Sequence, residues 1–269
     1  MKKFLIIKFL IIQLIIISCS QSLEKVQVFI ATDDLQIGTN RFTIAVADKN
    51  GLVNNEKINL SFSGEGGYPK FNKEFKFIKF PDFYETELNN GVYTEIIEFE
   101  KKGLWKINVG DSEIEFKVNE ISDSLNVGDL APRSENLTIY EADIKNLTTG
   151  IPSINDDFYK YNILDLLDNN KQFILSLMSP AFCTDPTCGP QLETLNEVSK
   201  NNPDIQIVHV DTYTNPSEVK SDFENRKLSP LIDEWGVDEG QWLFIISNRM
   251  IIAKFQGYAS IDQISEYLN

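Results

Sequence analysis

The chain has 269 residues and is acidic, with 40 Asp and Glu residues against 25 Lys and Arg residues and a formal charge of −15 at pH 7. This excess of negative charge disfavours nucleic acids and anionic lipid surfaces as partners. The sequence has no basic patch, no Gly-rich phosphate loop and no internal repeat.

The N-terminus has the pattern of a secretory leader. Lys2 and Lys3 give it a basic start, and residues 4–17 are apolar except for Lys8 and Gln13. This run is shorter than the roughly 20 apolar residues of a membrane-spanning helix and is interrupted by polar side chains, so a signal sequence is the better interpretation. Loss of the leader would remove three lysines and change the formal charge from −15 to −18.

The leader ends in Ile16-Ile17-Ser18-Cys19, which resembles the lipobox of bacterial lipoproteins. The resemblance implies a signal peptide over residues 1–19 and a diacylglycerol on Cys19 that anchors the protein to the cell membrane or the outer membrane. The alternative is an ordinary signal or an uncleaved anchor in which Cys19 has no role. Both interpretations place the rest of the chain outside the cytoplasm, where thiols tend to oxidise.

Residues 22–121 are predicted to form an all-β domain. Apolar and polar residues alternate from Lys57 to Ser63 and from Glu113 to Val118, and turn signals such as Asn89-Asn90-Gly91 separate the runs. Roughly six to eight short strands with this spacing are typical of an antiparallel sandwich. The segment has no His and no Cys, so we interpret it as a spacer or docking module.

Part of this segment resembles a known domain class. Gly91-Val92-Tyr93, Phe99 and Gly103-Leu104-Trp105 resemble the penultimate hairpin of small Ig-like envelope domains, including YtkA-like ones. The resemblance implies an Ig-like β-sandwich in which Trp105 is a core residue.

After a predicted linker over residues 122–160, the pattern changes over residues 161–269 to strands that alternate with helices. A β-α-β half followed by a β-β-α half is the thioredoxin arrangement. The predicted elements are a helix from Ile163 to Leu167, a strand from Phe173 to Met178, a helix from Gln191 to Lys200, a strand from Ile205 to Val210, a helix from Ser229 to Trp235, strands from Trp242 to Ser247 and from Ile251 to Phe255, and a helix from Ile261 to Leu268.

Cys183 and Cys188 are the only closely spaced cysteines. The preceding strand, the following Gly189-Pro190 and the later Trp235-Gly236-Val237 resemble a thioredoxin-like fold, and Val127-Gly128-Asp129-Leu130-Ala131-Pro132 is similar to the lead-in of redoxin domains. The resemblance implies a multidomain fold class, an N-terminal all-β Ig-like sandwich followed by an α/β thioredoxin-like fold. It also implies that the two cysteines are a redox-active dithiol.

The start of a helix suits such a dithiol. Thiolate is the nucleophile in disulfide exchange, and the unpaired N–H groups and dipole of a helix N-terminus lower thiol pKa values. Asp185-Pro186 has the pattern of an N-cap and first helical residue, which places Cys188 in the first turn and Cys183 in the preceding loop. Five helical steps would separate the two Cα atoms by about 7.5 Å, beyond the roughly 4.4–6.8 Å of a disulfide, so the segment cannot be helical throughout if the pair closes.

Three features depart from the thioredoxin pattern. Gln241 takes the place of the family's cis-proline, which faces the dithiol and the substrate, and the family's buried acid would fall near Ser176 or Leu177. Four residues separate the cysteines, where thioredoxin has two. These departures argue against general thioredoxin-like exchange and leave a narrow-substrate exchange open.

The leading prediction is a thiol–disulfide oxidoreductase without a cofactor, in which Cys183 attacks and Cys188 resolves. Its partners would be thiols and disulfides of envelope proteins, and the membrane through the N-terminal lipid, with no nucleic acid. The chain's one histidine, His209, is either a satisfied histidine at a strand end or a third copper(I) ligand beside the two cysteines, as in Sco-type copper chaperones. A third possibility is a non-catalytic binding module in which the disulfide staples a loop.

Overall fold

The computed structural model describes residues 26–65, 68, 70–81, 90–109, 112–150, 155–183 and 187–268. The predicted leader with Cys19 lies outside these residues, and so does the predicted helix start at Asp185 and Pro186. Of the described residues, 38% lie in strands and 21% in helices, so this part of the chain is mostly β.

In the described part of the chain, eight strands form one antiparallel sheet: β1 (Gln27–Ile30), β2 (Gly38–Asp48), β3 (Gly51–Leu52), β4 (Lys57–Gly64), β5 (Phe71–Lys79), β6 (Gly91–Phe99), β7 (Gly103–Val109) and β8 (Ser112–Val118). Their order is β1-β2-β6-β5-β4-β7-β8, with β3 paired to β2. The two ends of this order approach each other. Ser112 Oγ donates to the Val26 carbonyl at 2.6 Å, and Gln36 forms a bridge with Asn119. The sheet is therefore a nearly closed, barrel-like structure.

Aromatic side chains fill this barrel. The ring of Phe42 on β2 lies within 5.1–6.4 Å, centroid to centroid, of the rings of Phe62, Phe75, Phe99 and Phe116. Most of these rings are fully buried. Because successive side chains of a strand point to opposite faces, the alternating pattern of each strand buries one face in this cluster.

The predicted Ig-like sandwich is wrong. Alternation of apolar and polar residues is the same in a sandwich and a barrel, because both bury one face of every strand. Strand pairing distinguishes them, and here β4 pairs with both β5 and β7 while β5 also pairs with β6. One continuous sheet therefore curves around the core, where a sandwich would have two facing sheets.

The remaining strands form a second sheet in the described chain: β9 (Phe173–Leu177), β10 (Gln206–Val210), β11 (Trp242–Ser247) and β12 (Met250–Gln256). The order is β10-β9-β11-β12, with β9 and β10 parallel and the other pairs antiparallel. The helices are α1 (Ile163–Asp168), α2 (Cys188–Asn201), α3 (Pro216–Ser221), α4 (Pro230–Trp235) and α5 (Ile261–Ser265), with 3-10 turns at Ile144–Asn146, Asp156–Tyr159 and Phe223–Asn225.

The class predicted for this half, an α/β thioredoxin-like fold, is contradicted as well. Of the described helices only α2, with 14 residues, is longer than six residues. The periodicity located helices but overstated their share of the chain, since the closing helix predicted from Ile261 to Leu268 ends at Ser265. Strands dominate the chain because the first half has no described helix, whereas in the second half the helices contain more residues than the strands.

Helix α2 packs on the second sheet through a stripe of apolar side chains. Leu195 and Val198 are fully buried in one cluster with Ile174 of β9 and Ile207 of β10. This packing fixes the N-terminus of α2 beside the C-terminal end of β9, from which the cysteine loop leaves the sheet.

The two sheets contact each other through polar groups. Gln256 Oε1 on β12 accepts hydrogen bonds from the backbone N–H groups of Asp33 and Asp34 at 2.8 and 3.0 Å. The next residue, Gly257, has φ +73°, and a Cβ there would lie 2.9 Å from the carbonyl oxygen of Ala31. Only glycine fits both this backbone conformation and this close approach.

Candidate functional site

Cys183 and Cys188 form a disulfide whose Cα atoms are 6.1 Å apart. Cys183 lies in the loop after β9, and Cys188 is the first residue of α2. The helix begins only at the second cysteine, so the five-residue step from Cys183 is not helical throughout. The distance between the two Cα atoms therefore stays within the normal range for a disulfide.

The two sulfur-bearing residues have unequal surroundings. Cys188 is 2% exposed and packs with Met178 and Leu192. Cys183 is half-buried at the edge of the same cluster. A sulfur of another molecule therefore reaches Cys183 more easily than Cys188.

The N-terminus of α2 lies at the disulfide-bonded Cys188. The N–H of Gln191 donates to the Thr187 carbonyl at 2.8 Å, so the N–H groups of Cys188 and Gly189 have no acceptor inside the helix. The next residue, Pro190, has no N–H at a position where the helix needs none. The first turn of α2 carries no acidic side chain. A thiolate here would meet the positive end of the helix dipole without a carboxylate of α2 to offset it.

Gln241 lies at the same end of α2. Its Oε1 accepts a hydrogen bond from Thr187 Oγ1 at 3.2 Å, one residue before Cys188. Gln241 has no exposed surface, and its Nε2 has no hydrogen-bond partner. No peptide bond among the described residues is cis. The predicted substrate-facing residue is thus beside the cysteine helix, but below the surface while the disulfide is closed.

The predicted acid position is occupied by a neutral side chain. Ser176 of β9 is fully buried, and its Oγ has no hydrogen-bond partner. The neighbouring Leu177 is an apolar core residue. Neither residue supplies a proton-transfer group to the cysteine pair.

A buried polar network, which sequence reasoning missed, holds the start of the cysteine loop. The carboxylate of Asp211, 2% exposed, accepts hydrogen bonds from the Ser179 hydroxyl and from the N–H and Oγ1 of Thr149 at 2.6 and 2.7 Å. It also accepts from the Tyr213 N–H at 3.1 Å. Asp211 directly follows β10, and Ser179 lies two residues after β9, which is a weak signal. Asp211 is 32 positions from Ser179 and 62 positions from Thr149 in the chain, so no local pattern links them.

His209 is a satisfied buried histidine. Its Nε2 lies 3.1 Å from the Met178 carbonyl, which can only accept, so in the neutral ring Nδ1 accepts from the Tyr159 hydroxyl at 2.7 Å. Burial lowers the pKa of His209 below its ordinary value of 6.5, against the opposing effects of Asp211 and of the Met178 carbonyl. The ring is therefore neutral at pH 7.

The described residues contain no group of three or more His, Cys, Asp or Glu side chains placed to hold a metal. The alternative copper(I) site at Cys183, Cys188 and His209 stays a prediction. A pocket of about 130 Å³ opens beside His209 and Asp211, but the hydrogen bonds described above already occupy both side chains.

Aromatic side chains flank the accessible cysteine. The ring of Phe182, the residue before Cys183, lies 4.9 Å from the ring of Phe223 and 6.3 Å from that of Tyr213. Phe223 is 38% exposed, and the Arg226 guanidinium lies 4.5 Å from its centroid. The accessible cysteine is therefore bordered by a partly exposed apolar surface.

The chain matches no protein-family model, no curated protein and no solved structure. The resemblances to thioredoxin-like, redoxin and Ig-like families therefore stay predictions. Among the described residues, no helix has the length and apolar composition that a membrane crossing requires.

Proposed function

We propose that the protein is a thiol–disulfide oxidoreductase that exchanges disulfides through Cys183 and Cys188. One observation carries the proposal: a half-buried cysteine in a loop is bonded to a buried cysteine at the first residue of a 14-residue helix. Exchange needs one sulfur that a partner can reach and one that leaves and returns. The site has this inequality.

In the oxidising direction, a substrate thiolate attacks Sγ of Cys183. A bond forms between these two sulfurs, the Cys183–Cys188 bond breaks, and Cys188 leaves as a thiolate. A second substrate thiolate then attacks the first substrate sulfur and releases Cys183 as a thiolate. Two electrons pass from the substrate to the protein, and the two thiol protons of the substrate end on Cys183 and Cys188. The reducing direction reverses each step.

The helix N-terminus supports Cys188 as the leaving and resolving sulfur. A leaving thiolate departs faster when its pKa is low, and helix N-termini lower thiol pKa values. The N–H groups of the first turn, which have no acceptor inside the helix, provide this stabilisation without a metal. The proposed exchange therefore uses no cofactor, because the two sulfurs are themselves the redox group.

Trapping of mixed disulfides tests the proposal. Cys188→Ser leaves the accessible sulfur without its resolving partner, so it should accumulate disulfide-linked complexes with envelope proteins, whereas the matched Cys183→Ser variant should accumulate few. Both are read from cell extracts by non-reducing electrophoresis and mass spectrometry. Equal trapping by the two variants, or none by either, would contradict the assigned roles and favour a disulfide that only staples a loop.

We further propose that the exchange takes place outside the cytoplasm at a membrane surface. The support is the sequence Ile16-Ile17-Ser18-Cys19 after a basic and apolar leader. Cys19→Ala should block lipid attachment and leave an unprocessed precursor, while Cys183→Ser, which keeps the leader intact, should be processed normally. Normal cleavage and lipidation of the Cys19→Ala chain would overturn the anchor.

A further inference from the structure

A pocket of about 500 Å³ lies where the two sheets meet, remote in sequence from the cysteines. This volume is within the usual range for small-molecule sites. Side chains of both sheets line it, including Arg41 of β2, Ile96 of β6, and Trp242 and Lys254 of the second sheet.

Arg41 is a cation without a carboxylate partner in the described part of the chain. Its Nη1 donates to the Gln256 carbonyl at 3.1 Å, and its Nη2 donates to the Tyr258 carbonyl and to Gln263 Oε1 at 3.3 Å. These acceptors are all neutral. The guanidinium carbon also lies 5.5 Å from the centroid of the Phe255 ring, and Nε–H, which is shielded from solvent, has no partner.

Burial makes this unpaired charge costly. It lowers the pKa of Arg41 to about 10, and no neighbouring anion opposes the effect. The guanidinium therefore stays charged at pH 7 in surroundings that solvate it poorly. An anion in the pocket would pair with this charge.

The other charges of the pocket cancel each other. Lys254 Nζ lies 3.6 Å from Asp34 Oδ2 and donates to the hydroxyls of Ser122 and Ser124 at 2.8 Å each. Asp34 in turn accepts from the same two hydroxyls. With this pair neutralised, the charge of Arg41 is the one left for a ligand.

The remaining wall of the pocket is partly apolar. Ile96, 51% exposed, and Tyr267, 39% exposed, line it together with the buried Trp242 and with Val127. Such surfaces suit the hydrocarbon part of a ligand, while one charged group fixes its orientation.

We propose that this pocket binds a small monocarboxylate with an apolar or aromatic group, its carboxylate pairing with the Arg41 guanidinium. The carboxylate completes the one unpaired charge of the pocket, and the apolar group contacts Ile96, Trp242 and Tyr267. Neither cysteine lines this pocket, so the proposal does not rest on the proposed exchange.

Strand register provides a sharp test. Arg41 and Ile96 are directly opposed in the antiparallel β2–β6 pair, so their side chains share one face of the sheet. Ile96→Glu would place a tethered carboxylate beside the guanidinium and compete with the ligand. Ile96→Gln has nearly the same shape without the charge, and is the matched control.

The purified full chain is titrated with acetate, propionate and benzoate by calorimetry, with benzamide as the uncharged analogue of benzoate. We expect saturable binding, with benzoate at least about tenfold tighter than benzamide, since a charge-assisted hydrogen bond contributes about 1.5–3 kcal/mol. Ile96→Glu should weaken benzoate binding by about tenfold or more relative to Ile96→Gln.

A second variant, Arg41→Met, should lose carboxylate binding as well. Arg41 also donates to the Gln256 and Tyr258 carbonyls, so this variant can disrupt the contact between the two sheets. If it does, the comparison of Ile96→Glu with Ile96→Gln is the deciding test. Absence of saturable binding by all three carboxylates would show that the pocket holds only water. The proposal would be overturned by this absence of binding, by equal affinity for benzoate and benzamide, or by equal binding of benzoate to Ile96→Glu and Ile96→Gln.

Discussion

Both sheets of this protein are built around apolar side chains, but they differ in how many polar side chains they bury. The barrel-like sheet fills its centre with aromatic and aliphatic groups, whereas the second sheet and its helices bury many polar groups beside their own apolar clusters. The buried polar residues of the second half include Ser176, Ser179, Thr187, Gln191, Thr194, His209, Asp211, Thr212 and Gln241.

This difference separates stability from chemistry. Burial of apolar surface is the main stabilising contribution in folding, whereas a buried polar group lowers stability unless it finds a partner. The polar groups of the second half surround the strand ends and the helix end that carry the disulfide. We infer that the apolar clusters of both halves supply stability and that the second half uses part of it to position two sulfurs.

The largest expected effect comes from the barrel core. Phe42→Ala removes the ring that contacts four others and should lower the free energy of unfolding by about 3–5 kcal/mol. Phe29→Ala, at a residue 47% exposed, should change it by less than about 0.5 kcal/mol. Urea unfolding under oxidising conditions measures both. A changed reduction potential of the disulfide in Phe42→Ala would contradict the inferred division of roles between the two halves.

The next effect tests the network under the cysteine loop. Asp211→Asn replaces one carboxylate oxygen with an NH2 group, so the side chain can no longer accept from both Thr149 and Ser179, and the free energy of unfolding should fall by about 2–3 kcal/mol. The exposed Asp204→Asn variant serves as control. We also expect faster reduction of the disulfide in Asp211→Asn, because the loop loses its anchor. Reduction of the disulfide at the wild-type rate would show that this network does not influence the cysteine pair.

A smaller effect is the pH dependence that His209 produces. The pKa of the folded state is lowered, so the unfolded chain binds a proton more readily, and the contribution of neutral His209 to stability is present above the unfolded pKa near 6.5 and lost as pH falls. The slope below pH 6.5 can reach about 1.4 kcal/mol per pH unit. His209→Gln should flatten the stability profile between pH 6.5 and the folded pKa, and a wild-type slope in that variant would contradict the neutral histidine.

The smallest effect concerns the contact between Thr187 and Gln241. Thr187→Val removes the hydroxyl donor and should lower the free energy of unfolding by only about 1 kcal/mol. Because Thr187 directly precedes Cys188, we expect a clear change in the rate of reduction by dithiothreitol, and a similar change in Gln241→Pro. Unchanged rates in both variants would mean that this contact does not influence the dithiol.

Sequence patterns located many elements but not how they pair. The strand predicted from Trp242 to Ser247 has those limits in the structure, and the strand predicted from Glu113 to Val118 differs by one residue. The limits of both strands are determined by local alternation of apolar and polar residues or by a buried apolar run. Strand pairing depends on residues far apart in the chain, so the sandwich prediction failed where the individual strands succeeded.

The site shows the same division. Spacing and helix geometry placed Cys188 at a helix start and Cys183 before it, and a resemblance placed Gln241 near that helix. No local pattern links Asp211 to Thr149, which is 62 positions away, or Thr187 to Gln241, which is 54 positions away. Arg41 could not be singled out either, because its isolation arises only when the two sheets meet.

The reduction potential of the Cys183–Cys188 pair tests the central claim most directly. The purified full chain is equilibrated in dithiothreitol buffers of graded potential, and its free thiols are counted by mass spectrometry after alkylation. Exchange activity predicts a midpoint between about −270 and −120 mV, within the range of dithiol oxidoreductases. A midpoint below about −300 mV would mark a structural disulfide and would contradict the proposed function.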